Sequence, residues 1–588
     1  MHVVATAGHV DHGKSTLIEA LTGQQPDRLA EERRRGLSIE LGYCWTGLPR
    51  SGDVAFVDVP GHERFISTML AGVGPVPVVL FVVAADDPWM PQADEHLAIL
   101  DALEVNTGVL AVTRSDLGDA EAALRKARAA TAATTLADIP AVIVSGVTGE
   151  GLSELRTTLD RVLASAPPPD PAADVRLWVD RMFTRPGAGT VVTGTLPAGR
   201  IRTGDTLACD SDLIHVRGLQ SMTKDIDQAT GVARVSLRLG SGVPTGLRRG
   251  TALTTPGAWY TSDLLDVSVT GPGTPPAEPV LHVGSASVSA RVRPLATTRD
   301  GWLVRVRVAR PLPWHVGDVA LLRDPGRRLV WRCRVLDPAP PGLERRGDGR
   351  RRADALAAAS GTPDLDEELR RRGMAATGLL RRLGVPRDQL SSATDGRSAA
   401  SGWLLDPARL SELSQRLVAA VAAQTAHDPL EDGLTPAAAA RLLELPDPGL
   451  ALTVVRPPLA YVDGRIRRQS TALPGALEAA LSQLEDQFRL HPFQAPDADR
   501  LKELGLDRRS LAAAERAGRV LRVGETVVLL PGADQQAVEC LRTLPQPFTT
   551  SAARQKLDTS RRVVLPLLAH LDRAGLTRRL ADDRRTVI

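Results

Sequence analysis

Apolar runs of strand length alternate with amphipathic stretches over the first 166 residues. His2 to Ala7, Val54 to Val57, Val78 to Ala84, Gly108 to Thr113 and Ala141 to Ser145 are apolar and rich in β-branched side chains. Ser15 to Leu21, Glu63 to Leu70, Ala93 to Leu103, Ala120 to Ala133 and Leu152 to Leu163 have helical spacing. This alternation predicts a doubly wound α/β sheet with ligand loops at the carboxyl ends of its strands. After the stiff linker Pro167-Pro-Pro-Asp-Pro171 the period drops to two. Val175 to Phe183, Gly189 to Leu196, Asp205 to Ala208, Leu213 to Leu219, Ala233 to Leu239 and Thr251 to Leu253 predict a small β-barrel over 174–256, and a second one follows over 260–338. Arg345 to Arg352 reads as a solvated linker, and residues 345–588 become short helices and hairpins. A helix at Leu511 to Arg516 leads into a hairpin formed by Arg519 to Val523 and Thr526 to Leu530, and the same order recurs from Ser551 to Ile588. The repetition predicts tandem winged-helix modules.

Length agrees with that division, since 588 residues at about 150 per domain give four domains or more. A net charge of +3 neither demands nor excludes nucleic acid, so the placement of arginine matters more than the total. Cys44, Cys209, Cys333 and Cys540 stand singly, without zinc spacing or a disulfide framework, which suits a reducing cytoplasm. Met1 runs straight into the first strand, so no leader is read there. The most apolar run, Val76 to Ala85, is about half a membrane helix and reads as a core strand.

The chemistry begins at the end of the first strand. Gly8-His9-Val10-Asp11-His12-Gly13-Lys14-Ser15 fits a glycine, four residues, then Gly-Lys-Ser. Such a loop turns successive N–H groups toward phosphate oxygens, with Lys14 on the terminal phosphates and the Ser15 hydroxyl on Mg²⁺. Thr16 continues into a helix whose N-terminus faces the anion. Asp58-Val-Pro-Gly61 follows the next strand, where Asp58 can hold Mg²⁺ through water and the Gly61 N–H can sense a γ-phosphate. Arg35-Gly-Leu-Ser-Ile39 lies between them, long enough to fold over a nucleotide.

GHVDHGKS, RGLSI and DVPGHE together resemble the translational GTPases, the group of elongation factor Tu. The resemblance implies GTP and Mg²⁺ as cofactors and His62 as the residue that positions the attacking water. It implies that Val10 and Ile39 screen this histidine until the ribosome engages, and that Ser38 serves on Mg²⁺ where the family usually has threonine. Thr113-Arg114-Ser115-Asp116 stands where the family has Asn-Lys-x-Asp. Asp116 would accept from guanine N1 and N2, with the Arg114 stem along the base. Ser145-Gly146 matches the loop whose N–H binds guanine O6. Threonine at 113, Glu40-Leu-Gly-Tyr43, Met69 to Gly74 and Glu95 to Leu100 resemble the selenocysteine-specific elongation factors more than elongation factor Tu.

That branch implies a multidomain fold: a P-loop GTPase domain over 1–166, the two barrels gripping aminoacyl-tRNA, and winged-helix modules for RNA. By motif position Tyr43, Asp180, Arg181 and Arg249 would surround the selenocysteinyl group, with Asp180 orienting Arg181. A selenol ionises below neutral pH and a serine hydroxyl does not, so a cationic pocket discriminates by charge. Surface ion pairing or tRNA phosphates are the other reading of these arginines. In the last module Val563, Val564, Leu567, Leu568 and Leu571 fall on one face, leaving Arg561, Arg562, His570 and Arg573 outside. Pro566 predicts a kink or a late helix start. With Arg578 and Arg579, Arg561 and Arg562 resemble the family's signature for an mRNA stem-loop; pattern alone equally suits a DNA groove. The implied function is a cytoplasmic, monomeric GTPase that delivers selenocysteinyl-tRNA to the ribosome at UGA codons of selenoprotein messages. A general tRNA carrier and a GTP-gated DNA-binding regulator are the alternatives. The C-terminal modules argue against the first and the paired barrels against the second.

Overall fold

The computed structural model describes residues 1–26, 40–62, 66–74, 76–87, 89–185, 189–240, 242–396, 402–427, 433–468, 473, 475–524 and 527–588. Ser38 and Ile39 therefore lie outside the described residues. The chain forms two compact units, Met1–Arg397 and Ser398–Ile588. Among the described residues no helix is long and apolar enough to cross a membrane.

The first unit opens with β1 (His2–Ala7), α1 (Lys14–Thr22), β2 (Gly42–Leu48), β3 (Gly52–Asp58), α2 (Ile66–Val73), β4 (Val78–Ala84), α3 (Pro91–Ala102), β5 (Gly108–Thr113), α4 (Ala120–Thr131), β6 (Ala141–Ile143) and α5 (Leu152–Ser165). The sheet order is β2-β3-β1-β4-β5-β6, parallel except for β2 at the edge. Alternate residues of β1 feed opposite faces: Val3, Ala5 and Ala7 pack with Met69 and Leu100, whereas Val4 packs with Leu17 and Leu159. The hydrophobic pattern misses β2, because an edge strand buried only at Gly42, Cys44 and Leu48 carries no apolar run.

Beyond residue 174 the predicted strand Val175 to Phe183 is two strands, β7 (Arg176–Trp178) and β8 (Arg181–Arg185). The chain leaves one partner for the other at this break. The Val179 N–H donates to the Thr251 carbonyl, and the Asp180 N–H to that of Thr193. The eight-stranded sheet containing β7 and β8 encloses a core that includes Leu177, Val192, Ile214 and Leu237. Residues Tyr260–Thr270 through Leu329–Asp337 make a closed six-stranded barrel. This barrel docks on α3, where the Arg323 guanidinium donates twice to Glu95 (2.8 and 3.0 Å), and Leu321 and Val330 join the core of the first sheet.

The stretch read as a solvated linker is folded. Asp348–Leu356 is a helix whose Ala353 and Leu356 pack on Leu303 and Leu336 of the second barrel. Arg352 is buried and binds Asp266 (2.6 Å) and Asp337 (2.5 Å). Asp266 also takes both ends of Arg305, while Arg372 from the helix Leu365–Arg372 binds Asp337 and Glu368. An arginine run is misread as solvent-facing when buried carboxylates elsewhere in the chain await it.

Among the described residues of Ser398–Ile588 one pattern occurs three times: three helices and a hairpin. Pro407–His427, Pro436–Leu443, Pro448–Val454 and the pair Leu459–Val462 with Arg465–Arg468 are the first. Gly475–Leu490, Ala498–Glu503, Arg508–Arg516 and Leu521–Arg522 with Val528–Leu529 are the second. Ala533–Arg542, Thr550–Lys556, Arg561–Arg573 and Thr577–Arg579 with Arg585–Val587 are the third. Thr435, Asp447, Asp497, Asp507 and Thr549 cap the short helices by accepting from first-turn N–H groups. The helix at Arg561 does not start late but runs through Pro566. A proline inside a helix costs about 3 kcal/mol. Burial of Val563, Val564, Leu567, Leu568 and Leu571, at about 1.5–3 kcal/mol each, outweighs that.

Candidate functional site

The loop from Gly8 to Ser15 joins β1 to α1, with Asp11 (φ 63°) and Gly13 (φ 79°) in left-handed conformations that let the backbone curl inward. Asp58, at the end of β3 and 1 % exposed, is shared between β1 and α1: Thr6 Oγ1 donates to one oxygen (2.8 Å) and Ser15 Oγ to the other (2.6 Å). Thr6 in turn accepts the Val59 N–H (3.0 Å), a link that sequence reasoning missed. Lys14 Nζ lies on the carbonyl oxygens of His9 (2.7 Å) and Gly8 (3.1 Å). A Cβ on Gly61 would sit 2.5 Å from the Val10 nitrogen and 2.6 Å from Lys14 Nζ, so only glycine permits this approach. Half-buried His62 follows directly. Ser15 and Asp58 present oxygen donors side by side, the donor type a hard divalent cation such as Mg²⁺ prefers.

Two further histidines belong to the loop's surroundings. His12 is buried 3.4 Å from Asp87 and edge-on to His9, and burial lowers its pKa to about 4. His96 on α3, also buried, accepts the Gly8 N–H and is lowered to about 3 by burial. The segment Glu95 to Leu100 is notable in sequence only for its family resemblance, and the role of His96 within it was missed.

Thr113 ends β5 and donates to the His12 carbonyl (2.7 Å) and to that of Val83 (3.3 Å), fixing the phosphate loop to the sheet. Arg114, in a left-handed conformation, reaches back to the Asp11 carbonyl and pairs with Asp86 (3.1 Å). Asp116 is exposed beyond it. The buried Ser145 Oγ accepts from the Val147 and Thr148 N–H groups, and Gly146 lies over Thr16 at the start of α1. A bond from Ser115 to Glu150 (3.3 Å) joins the two loops.

Tyr43 on β2 faces the first barrel. Asp180 does not orient Arg181; it is held by Arg234, which grips both its oxygens, and by Thr193 Oγ1 (2.8 Å). Arg234 lies 4.0 Å from the Tyr43 ring and was missed by motif reasoning. Its strand, Ala233–Leu239, alternates buried with half-buried or exposed residues, and a charged residue in that alternation was the available signal. Burial disfavours the Arg234 charge, but Asp180 and Tyr43 raise its pKa above normal; burial also pushes the Tyr43 phenol up. Arg181, one third exposed, pairs with Glu40 (2.6 Å) and lies 5.9 Å from the Tyr43 ring. Arg249 instead reaches Ser67 and Thr68 on α2 (3.3 and 3.2 Å).

In the last module Arg561 and Arg578 are exposed. Arg579 pairs with Asp583 (2.5 Å). Arg562 is not simply outward, since its guanidinium donates to the Ala495 and Pro496 carbonyls (2.6 and 3.0 Å).

Comparison with known proteins agrees with this arrangement. Residues 1–165 match the family described as elongation factor Tu GTP binding domain, and residues 539–586 match the winged helix of elongation factor SelB. The selenocysteine-specific elongation factor of Desulfomicrobium baculatum is 35 % identical over 388 residues, 63 % of this chain and 61 % of that protein. The chain thus spans about three fifths of that relative's length. Translation initiation factor 2 subunit gamma of Halobacterium salinarum is 33 % identical over 301 residues, 42 % of this chain and 72 % of that protein. A crystal structure of a bacterial selenocysteine-specific elongation factor, EF-Sec, shares the fold over the whole of both chains, with a TM-score of 0.74 at 23 % identity. The chain belongs to the translational GTPases related to elongation factor Tu, in the branch of the selenocysteine-specific elongation factors.

Proposed function

We propose that this chain is a GTPase that carries selenocysteinyl-tRNA to the ribosome at UGA codons, guided by an mRNA stem-loop bound at its C-terminus. The observation that carries the reading is the cluster of Tyr43, Arg234, Asp180 and Arg181 between β2 and the first barrel. A buried, compensated arginine under an aromatic ring, beside a more exposed one, suits an anionic side chain and not a neutral hydroxyl. Residues 1–166 would bind GTP, 174–256 and 260–338 would hold the tRNA, and the modules beyond 345 would bind the message. The helix Asp348–Leu356 belongs structurally with the second barrel.

Gly8 to Thr16 would wrap the phosphates, with Lys14 exchanging the Gly8 and His9 carbonyls for phosphate oxygens. Ser15, Ser38 and Asp58 would hold Mg²⁺, which neutralises charge developing on the γ-phosphate. The Gly61 N–H and His62 would face the same phosphate, His62 orienting water when the ribosome engages. Asp116 would read guanine N1 and N2, Gly146 would donate to O6, and Thr113 and Arg114 would fix the loops around the base. In the last module Arg561 and Arg578 would meet RNA first, Arg579 after leaving Asp583, and Arg562 mainly as a brace. The protein would act in the cytoplasm, as a monomer and without a membrane.

The test is titration of the GTP-bound protein with selenocysteinyl-tRNA and with seryl-tRNA on the same tRNA body. Strong preference for the selenocysteinyl form is expected, and equal affinity would overturn the reading.

A further inference from the structure

The chain has three tyrosines. Tyr43 lies against Arg234, and Tyr260 lies 5.2 Å from the Arg382 guanidinium. Tyr461 is 49 % exposed, on the hairpin of the first module in Ser398–Ile588. That hairpin pairs Tyr461 with Ile466 and Leu459 with Arg468, so Tyr461 and Arg468 share one face as diagonal neighbours. Ile466 is fully buried and bridges Leu434, which anchors the strand beneath the ring. The other face pairs Val462 with Arg465 and Ala460 with Arg467. Arg465 is steadied by the Gly433 carbonyl (2.9 Å), Arg467 pairs with Asp463 (3.3 Å), and Arg468 is exposed.

The helix before this hairpin, Pro448–Val454, has the sequence PGLALTV and no charged residue. It carries no cationic side chain to hold a phosphate. The helix of the last module, Arg561–Arg573, carries three arginines. In the first module the charge and the aromatic ring are on the wing instead. An exposed ring with a cationic side chain on its face and further ones on the same hairpin is the arrangement that stacks an unpaired base while holding its backbone, with little dependence on sequence.

We propose that the hairpin Leu459 to Arg468 is a second RNA-binding surface, in which Tyr461 stacks on an unpaired base, Arg468 on the same face holds the adjoining phosphate, and Arg465 and Arg467 on the other face hold phosphates of the strand as it passes round the hairpin. The choice of RNA over single-stranded DNA rests on the reading of the chain as a tRNA carrier working on the ribosome. The contact itself does not depend on recognition of any message.

The test uses the full chain and a fluorescent RNA hairpin of arbitrary sequence with a six-nucleotide unpaired loop. Tyr461→Ala is expected to weaken binding about tenfold, and Tyr461→Phe to restore it. Replacing Arg465, Arg467 and Arg468 by Gln should lower the slope of log affinity against log salt by about two. A blunt RNA duplex without a loop should bind Tyr461→Ala and the unaltered protein equally. Thermal unfolding of Tyr461→Ala should match the unaltered protein, because Tyr461 is exposed, and the salt slope of the arginine variant is read at a temperature where its melt shows it folded. Unchanged affinity and salt slope in both variants would overturn the proposal, and a Tyr461 effect confined to a DNA hairpin of the same sequence would overturn the choice of RNA. Preference for selenocysteinyl-tRNA is measured separately, so either reading can fail alone.

Discussion

The Nδ1 of His96 accepts the backbone N–H of Gly8 at 3.1 Å, so the first residue of the phosphate loop hangs from α3. The preceding residue on that helix, Glu95, is held by Arg323 of the second barrel. Loop and barrel thus meet on adjacent residues of one rigid element. His96→Leu leaves a buried N–H without an acceptor, a loss of about 1–3 kcal/mol. GTP and GDP are expected to dissociate at least about tenfold faster from this variant in stopped-flow measurements. Unchanged rates would mean the loop is held by its other bonds alone.

The same histidine carries a pH dependence. Burial lowers His96 to about 3, and His12 and His282, a buried residue of the second barrel, to about 4. The unfolded chain takes up protons near pH 6.5 that the native protein refuses until these lower values. Stability is therefore complete above pH 6.5 and declines as the pH falls toward 4, by up to about 1.4 kcal/mol per unit for each histidine. Melting temperature should drop between pH 7 and pH 5, and His282→Gln should flatten that drop. A melting temperature constant over the range would contradict neutral burial of these rings.

Chain length can be tested at the buried ion network. Asp337 is 1 % exposed; burial disfavours its charge, yet Arg371, Arg372 and Arg352 hold its pKa below the usual range. All three arginines follow residue 338. A chain ending at Pro338 strands Asp337 and leaves Asp266 with Arg305 alone, and removing one side of a buried pair costs about 3–5 kcal/mol. That chain should melt well below one ending at residue 396, which should bind GTP as the full protein does. Equal melting temperatures would show that the extension is dispensable.

Nucleotide chemistry separates two residues. Asp116→Asn should move preference from guanosine toward xanthosine nucleotides, because the amide donates where the carboxylate accepts. His62→Ala should keep GTP affinity and lose about a hundredfold or more of ribosome-stimulated hydrolysis. Competition binding and single-turnover hydrolysis report the two effects independently.

Legibility in the sequence followed the range of the interactions. The phosphate loop, Asp58 and the strand ends were readable because each is a contiguous motif placed by a local apolar run. The face of Val563, Val564, Leu567, Leu568 and Leu571 was readable from helical spacing alone. Arg234, Arg352 and His96 were not, since each is defined by a partner 54, 86 or 88 residues away. Charged residues look solvent-facing in a linear pattern until the fold supplies the opposite charge. The assignment of Asp180 to its sequence neighbour Arg181 failed for a related reason. Asp180 lies in the break just before β8 and turns inward to Arg234, while Arg181, the first residue of β8, turns out to Glu40.

That division predicts different outcomes for the two arginines near Tyr43. Arg234 is 12 % exposed and doubly bonded to Asp180, so Asp180→Asn leaves a buried cation poorly compensated. It should destabilise the first barrel by about 3 kcal/mol or more as well as weaken tRNA binding. Arg181 is one third exposed and Glu40 about half, and the pair contributes at most about 1 kcal/mol to folding. Arg181→Gln should therefore leave the melting temperature nearly unchanged. If Arg181 leaves Glu40 to meet a selenolate, its loss removes a charge-assisted bond of about 1.5–3 kcal/mol. Selenocysteinyl-tRNA should then bind about ten- to a hundredfold more weakly, with seryl-tRNA unaffected. Parallel titrations of both tRNAs, read beside thermal melts, distinguish the cases. Arg181→Gln protein that keeps full preference for selenocysteinyl-tRNA would leave Arg234 as the discriminating cation and reduce Arg181 to a tether for Glu40.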